Sequence, residues 1–324
     1  MPDTAGPAQL WLPLAQTAGG YQILLNTDWE HTGHAECVFD SRYNAPMLRT
    51  TWEGQETKDR QVRLTQVVAV RDRAYPWVSV LAHRSGIASS LLPMTEVERK
   101  FWSAPTESFP VDGILLTTAT RITAGKITPR ERLRAIYDWV VDHTHRDPDT
   151  PGCGTGDIKG MLEHGQFGGK CADINGLMVG LARAAGFPAR EVYGIRVAPS
   201  RFFTCIGAKE DISKAQHCRA EVFLDEMGWF PVDPADVVKV IAVEKLAVDS
   251  PEARSFRDHQ FGSWEMNWVG YNSATDIELP GGMDRKPGFP FFMYPWAFTS
   301  KGNYSGIDPA RFPYYEQTAR EVSV

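Results

Sequence analysis

Residues 166–190 constrain this chain more than any other stretch. The run Gln-Phe-Gly-Gly-Lys-Cys-Ala-Asp-Ile-Asn opens it, so a glycine pair leads straight into Cys171. Ile174, Leu177, Met178 and Leu181 then recur at three- and four-residue spacing, and Gly186 with Pro188 supplies a stop. The pattern predicts an amphipathic helix whose first turn carries the cysteine. A helix start gathers unpaired backbone N–H groups and the positive end of the dipole, so a thiol placed there ionises more readily. The apolar stripe is structural; only the residues at its N-terminal end call for a chemical explanation.

Two downstream segments supply partners for such a thiol. His217, in Ala-Gln-His-Cys-Arg-Ala-Glu-Val, opens a predicted strand over 217–224, and Asp233, in Gly-Trp-Phe-Pro-Val-Asp-Pro, ends the next one over 229–232. A thiol to attack, an imidazole to shuttle the proton and a carboxylate to orient it form a nucleophilic site. On the first strand His217, Arg219, Glu221 and Phe223 share one face, while Cys218, Ala220, Val222 and Leu224 share the other. The small apolar set is the expected core face, so His217 is expected to project away from it. Gln166 is an oxyanion-hole candidate, since its side-chain amide could act with the Cys171 backbone N–H. Asp173, Asn175 and Arg219 read as helix or sheet surface residues.

The flanking sequence sets the domain plan. At 324 residues, two or three units are expected. Strand patterns at 10–13 (a short edge strand), 21–25, 35–39 and 62–70 suggest a β-rich N-terminal domain over 1–85. Helices begin near residue 93, where Thr95 and Glu98 fit a capping box. A stronger one follows at Thr128-Pro129-Arg130-Glu131, opening a helix that buries Leu133, Ile136, Tyr137, Val140 and Val141 and ends near His143. The glycine-rich loop at 151–156 is not a phosphate loop, because no Gly-Lys-Ser/Thr follows it. Residues 86–249 are therefore expected to form the α+β catalytic domain. Residues 250–324 are dense in aromatics, with Trp264, Met266 and Trp268 on one strand face, and are expected to pack on that domain.

Composition narrows the function classes. A net charge of −6 argues against nucleic acid as a partner. No run of about 18 apolar residues is present, so no membrane insertion is expected. Residues 1–9 show no basic start followed by an apolar stretch, which leaves open both a cytoplasmic chain and the mature form of an exported one. The five cysteines contain no Cys-x-x-Cys pair. Cys205 and Cys218 could bridge in an oxidising compartment or stay buried thiols. His31, His34 and Cys37 do not fall on one strand face and are expected in a solvated loop. No metal and no cofactor are expected.

Three motifs together resemble the bacterial transglutaminase-like family. They are the cysteine-led helix ending in Arg-Ala-Ala-Gly-Phe-Pro-Ala-Arg at 183–190, the histidine at 217 before a strand, and Gly-Trp-Phe-Pro-Val-Asp-Pro at 228–234. The resemblance covers about residues 128–240, and the N-terminal part resembles that of exported, periplasmic members. It implies a papain-like α+β core in which a cysteine-bearing helix packs on an antiparallel sheet. It also implies Cys171 as nucleophile, His217 as base and acid, and Asp233 as orienting carboxylate. The implied activity is acyl transfer or hydrolysis at a protein, peptide or cell-wall amide through a thioester. Arylamine acetyltransferases use the same triad but place the cysteine much nearer the N-terminus, and peptide:N-glycanases carry paired zinc cysteines that this chain lacks. The alternative outside enzymology is a non-catalytic binding or structural module that retains the fold.

Overall fold

The computed structural model describes residues 6–54, 60–75, 93–282, 289–308, 310–312 and 315–322. The chain divides into two compact units. One comprises Met1–Arg71, Val192–His217 and Met266–Val324; the other comprises Asp72–Glu191 and Cys218–Glu265. The domain boundary expected at residue 85 lies outside the described residues.

The first unit is built on an antiparallel five-stranded sheet. Its order is Gly302–Ser305, Trp296–Thr299, Ala8–Pro13, Pro46–Trp52 and His34–Phe39. The segment 10–13 was expected as a short edge strand, but it belongs to Ala8–Pro13, the central strand. Its proline is the last residue, where a missing N–H costs the ladder little, and Ala8, Leu10 and Trp11 are all buried. Trp11 meets Phe298 edge-on at 5.4 Å, in a core shared with Met47, Ala274, Ile277 and Phe292. A second ladder pairs Gln22–His31 with Val62–Val70. Gln22 is fully buried, and its side-chain amide exchanges two 2.8 Å hydrogen bonds with the backbone of Gly270. His31 and His34 lie at strand ends rather than in a loop, and both are exposed. Ser263–Trp264 and Trp268–Asn272 are separate strands, with Met266 between them 45% exposed, so the three residues do not form one face.

The second unit holds the helices. Both predicted capping boxes are present, at Thr95/Glu98 and Thr128/Glu131, and Pro129–His143 buries the five predicted residues. The cysteine helix is Cys171–Ala184, and it is buried on every side from Cys171 to Arg183 rather than along one stripe. Small residues on its other faces permit this. A Cβ on Gly180 would lie 2.2 Å from Ile158 Cδ1, and one on Gly176 would lie 3.2 Å from Ile158 Cγ2. Gly113–Thr123, Pro129–His143 and Pro234–Glu244 all pack on the cysteine helix. Gly186, at φ +90°, ends the helix, and Arg132 Nη2 caps it by donating to Ala185 O at 2.6 Å.

Residues 220–224 of the strand Gln216–Leu224 pair antiparallel with Gly228–Val232 in this unit. The face expected to point outward is buried as well, and it is covered by charge pairing. Glu221 is 1% exposed; it accepts from Arg190 Nε at 2.6 Å and is bonded by Arg73. The Arg190 guanidinium in turn lies 4.0 Å from the Trp229 ring centre. Burial pushes the Glu221 carboxyl up, but Arg190 and Arg73 outweigh it and hold the group below the usual carboxylate range. A depressed folded value means that this stabilisation is complete above the unfolded pKa of about 4.3 and is lost as pH falls through the folded value. Glu221→Gln should therefore cost about 3–5 kcal/mol in urea unfolding at pH 7, by leaving two guanidiniums without their carboxylate. The gap from wild type should narrow as pH falls below about 4, and a gap independent of pH would contradict the assignment.

Candidate active site

Cys171 occupies the first position of its helix and is 8% exposed. Asp173 builds that helix start. Its carboxylate accepts from the backbone N–H of Lys170 at 2.9 Å, Thr155 at 2.9 Å and Gly156 at 3.0 Å. The loop at 151–156 is thus wrapped around a side chain of the cysteine helix, and Ala172 N adds a bond to Cys153 O at 2.9 Å. Gly154 has φ +105°, and a Cβ there would lie 1.9 Å from Asp173 Oδ2, so only glycine fits. Burial raises the Asp173 pKa, the three backbone N–H groups pull it down, and charge on Cys171 raises it again; the net shift is upward. The three backbone bonds make the role of Asp173 architectural.

Asp233 is fully buried and caps the helix Pro234–Glu244, with Oδ1 accepting from Asp236 N at 3.1 Å. Its backbone N–H donates to Gln260 O at 3.2 Å, and its Oδ2 lies 3.6 Å from Arg219 Nε. Asn175 Nδ2 donates to Asp233 Oδ1 at 3.1 Å, which ties the carboxylate to the cysteine helix. Cys218 is fully buried, and its thiol is hydrogen-bonded to Cys171. Burial, then that hydrogen bond, then negative charge at Cys171 and Glu191 push the Cys218 thiol well above its ordinary range. It remains an S–H group beside the Cys171 sulfur. All five cysteines, Cys205 and Cys218 included, are free thiols.

The structure therefore brings Cys171, Asp173, Asn175, Cys218 and Asp233 together within one unit. His217 closes the other unit's share of the strand Gln216–Leu224, one peptide bond before Cys218. It is 4% exposed, and its carbonyl accepts from Trp268 Nε1 at 2.8 Å. Strand alternation puts His217 on the same face as Arg219. Gln166 is solvent-exposed just after the helix Ile158–His164. Asp173, Asn175 and Arg219 were expected at the surface, yet each is at most 5% exposed. A signal for Asp173 was present: it stands at the third helical position, where a carboxylate reaches back to cap the first turn. Arg219 and Asp233 each lie one residue beyond the Ala220–Val232 pair of the two strands, which needs the pairing to be known first.

The profile of the transglutaminase-like superfamily matches residues 116–234, a span that contains Cys171, His217 and Asp233. An uncharacterized protein of Haemophilus influenzae is 32% identical over 320 residues, covering 95% of this chain and 85% of that one. The chain belongs to the transglutaminase-like superfamily. The matched span holds the cysteine helix and the antiparallel strands Gln216–Leu224 and Gly228–Val232, a mixed helix and sheet arrangement. A proposed cysteine protease from Cytophaga hutchinsonii is similar at 14% identity and TM-score 0.48, over 71% of this chain and 72% of that one. The periplasmic domain of TgpA from Pseudomonas aeruginosa is similar at 16% identity and TM-score 0.39, over 74% and 72%.

In this transglutaminase-like core the Asp173 cradle should be costly to break. Asp173→Ala strands three buried or half-buried backbone donors and should lower unfolding free energy by about 2–4 kcal/mol. Gly154→Ala should act in the same direction, by strain and by the clash with the carboxylate. The double variant should be less damaged than the sum, since both changes break one cradle. Full additivity in chemical denaturation would show that the two residues act separately.

Proposed function

We propose that this chain is a cysteine enzyme that transfers or hydrolyses the acyl group of an amide or peptide substrate. Cys171 is the nucleophile, His217 the general base and acid, and Asp233 the carboxylate that orients the histidine. The thiolate adds to the amide carbonyl, His217 gives its proton to the departing nitrogen, and the C–N bond breaks to leave a thioester on Cys171. Water or a second amine then adds to the thioester, returns a proton to His217 and frees the thiolate. The observation that carries this reading is the tie between Cys171's helix and a fully buried Asp233. A buried carboxylate tied to the helix that the thiol opens is costly without a purpose for its charge. Strand alternation adds support, because His217 shares the face of Arg219, whose Nε lies 3.6 Å from Asp233. The backbone N–H of Cys171 is the first oxyanion donor in this scheme and Gln166 the candidate second.

Thiol labelling separates this reading from an inert module of the same fold. Cys37 is exposed, whereas Cys171 is only 8% exposed, so accessibility alone favours Cys37. Partial desolvation on its strand nonetheless raises the Cys37 pKa, which slows it near neutral pH. Substoichiometric iodoacetamide at pH 6 should label Cys171 first, as mapped by mass spectrometry. His217→Ala should move the labelling profile of Cys171 to higher pH, and Asp233→Asn should move it less in the same direction. Cys171→Ala should abolish amine incorporation and amine release across a glutamine- and peptide-substrate library. Preferential labelling of Cys37, with a His217→Ala profile like wild type, would favour the inert module.

A further inference from the structure

Asn175 lies four residues after Cys171, on the same face of the helix and one turn deeper. Asparagine is a poor residue for a helix interior, because its amide competes for backbone groups. Here it is fully buried, and every contact of its amide leaves the helix. Nδ2 donates to Cys218 O at 2.7 Å and to Asp233 Oδ1 at 3.1 Å, while Oδ1 accepts from Ala235 N at 3.2 Å. The partners fix the orientation of the amide. A flipped group would set its oxygen against a carbonyl and a carboxylate, and its NH₂ against an N–H. One side chain thus joins the nucleophile's helix, the strand Gln216–Leu224 at Cys218 and the start of the helix after Asp233.

The consequence falls on Asp233. Its Oδ1 is occupied twice, by Asn175 Nδ2 and Asp236 N, so rotation of the carboxylate is blocked. The other oxygen, Oδ2, lies 3.6 Å from Arg219 Nε. We propose that Asn175 is a positioning residue: it locks the Asp233 carboxylate so that Oδ2 faces His217 and holds the imidazolium that stabilises the Cys171 thiolate. The inference rests on the triad assigned above. A neutral donor suits this task, because it fixes the carboxylate without adding charge. Asparagine is also short enough to do so from a fully buried turn.

The test follows iodoacetamide reaction at Cys171 from pH 4 to 10 in wild type, Asn175→Leu, Asp233→Asn and the double variant, with circular dichroism confirming folding. Leucine keeps the volume and removes every hydrogen bond. Asn175→Leu should raise the midpoint of the profile by about one pH unit, which is about a tenfold loss of rate at pH 6. The double variant should match Asp233→Asn alone, because Asn175 acts through that carboxylate. A purely structural role predicts a lower melting temperature with the wild-type midpoint, and that result overturns the proposal. Additive shifts in the double variant overturn it too. If leucine is not accommodated, Asn175→Ser carries the same expectation, and failure of both to fold would mark the residue as structural. A wild-type profile that rises only above about pH 8, like a free thiol, would instead remove the triad on which the inference stands.

Discussion

The rest of the second unit depends on hydrogen-bonding the buried first turn of the Cys171–Ala184 helix. A helix start leaves backbone donors without partners inside the helix, and here they cannot turn to bulk water because the helix is buried from Cys171 to Arg183. Asp173 resolves this from within, by accepting from Lys170 N and folding the glycine loop back over itself through Thr155 N and Gly156 N. The glycines at 154 and 169 follow from that choice, since a side chain at either would strike the carboxylate. The cysteine is then held at a helix end with its sulfur against the Cys218 thiol.

Burial of charge recurs around this turn, at Glu221 and at Asp233. Glu221 has two guanidiniums, and Asp233 has an N-cap amide, Asn175 and Arg219. Arg219 also donates to Glu265 O at 2.8 Å. Such pairs add less net stability than apolar packing would, because desolvation offsets most of the attraction. Their value lies in geometry: each can be satisfied in only one arrangement of strand and helix. A site that needs groups from three elements held to within a few tenths of an ångström benefits from that restriction.

Much of the local structure was legible in the residues. The two capping boxes, the stripe from Leu133 to Val141 and the glycine stop at 186 each follow from short-range chemistry, and the structure has all of them. What the sequence hid was the number of covered faces. Periodicity shows that Ile174, Leu177, Met178 and Leu181 need a partner. It does not show that Ile158 fills the gap above Gly176 and Gly180. Arg219, Asn175 and Asp173 looked like surface residues for the same reason, since polarity reports solvent only when no partner waits inside. The centre of the first sheet was hidden by distance: Ala8–Pro13 pairs with Trp296–Thr299, and nothing local in either segment names the other. Cys171, His217 and Asp233 stood out because their neighbours in sequence form a recognisable pattern, whereas Asn175, Arg219 and Cys218 gain meaning only from the fold.

The central claim is that Cys171 forms an acyl-enzyme, and intact mass spectrometry after rapid mixing with an activated acyl ester tests it most directly. The account predicts a burst of leaving group equal to the enzyme concentration. It also predicts a single acyl adduct that maps to Cys171, is discharged by added amine, and is absent from Cys171→Ala but retained in Cys37→Ala. A burst that survives Cys171→Ala, or an adduct that maps to the exposed Cys37, would contradict it.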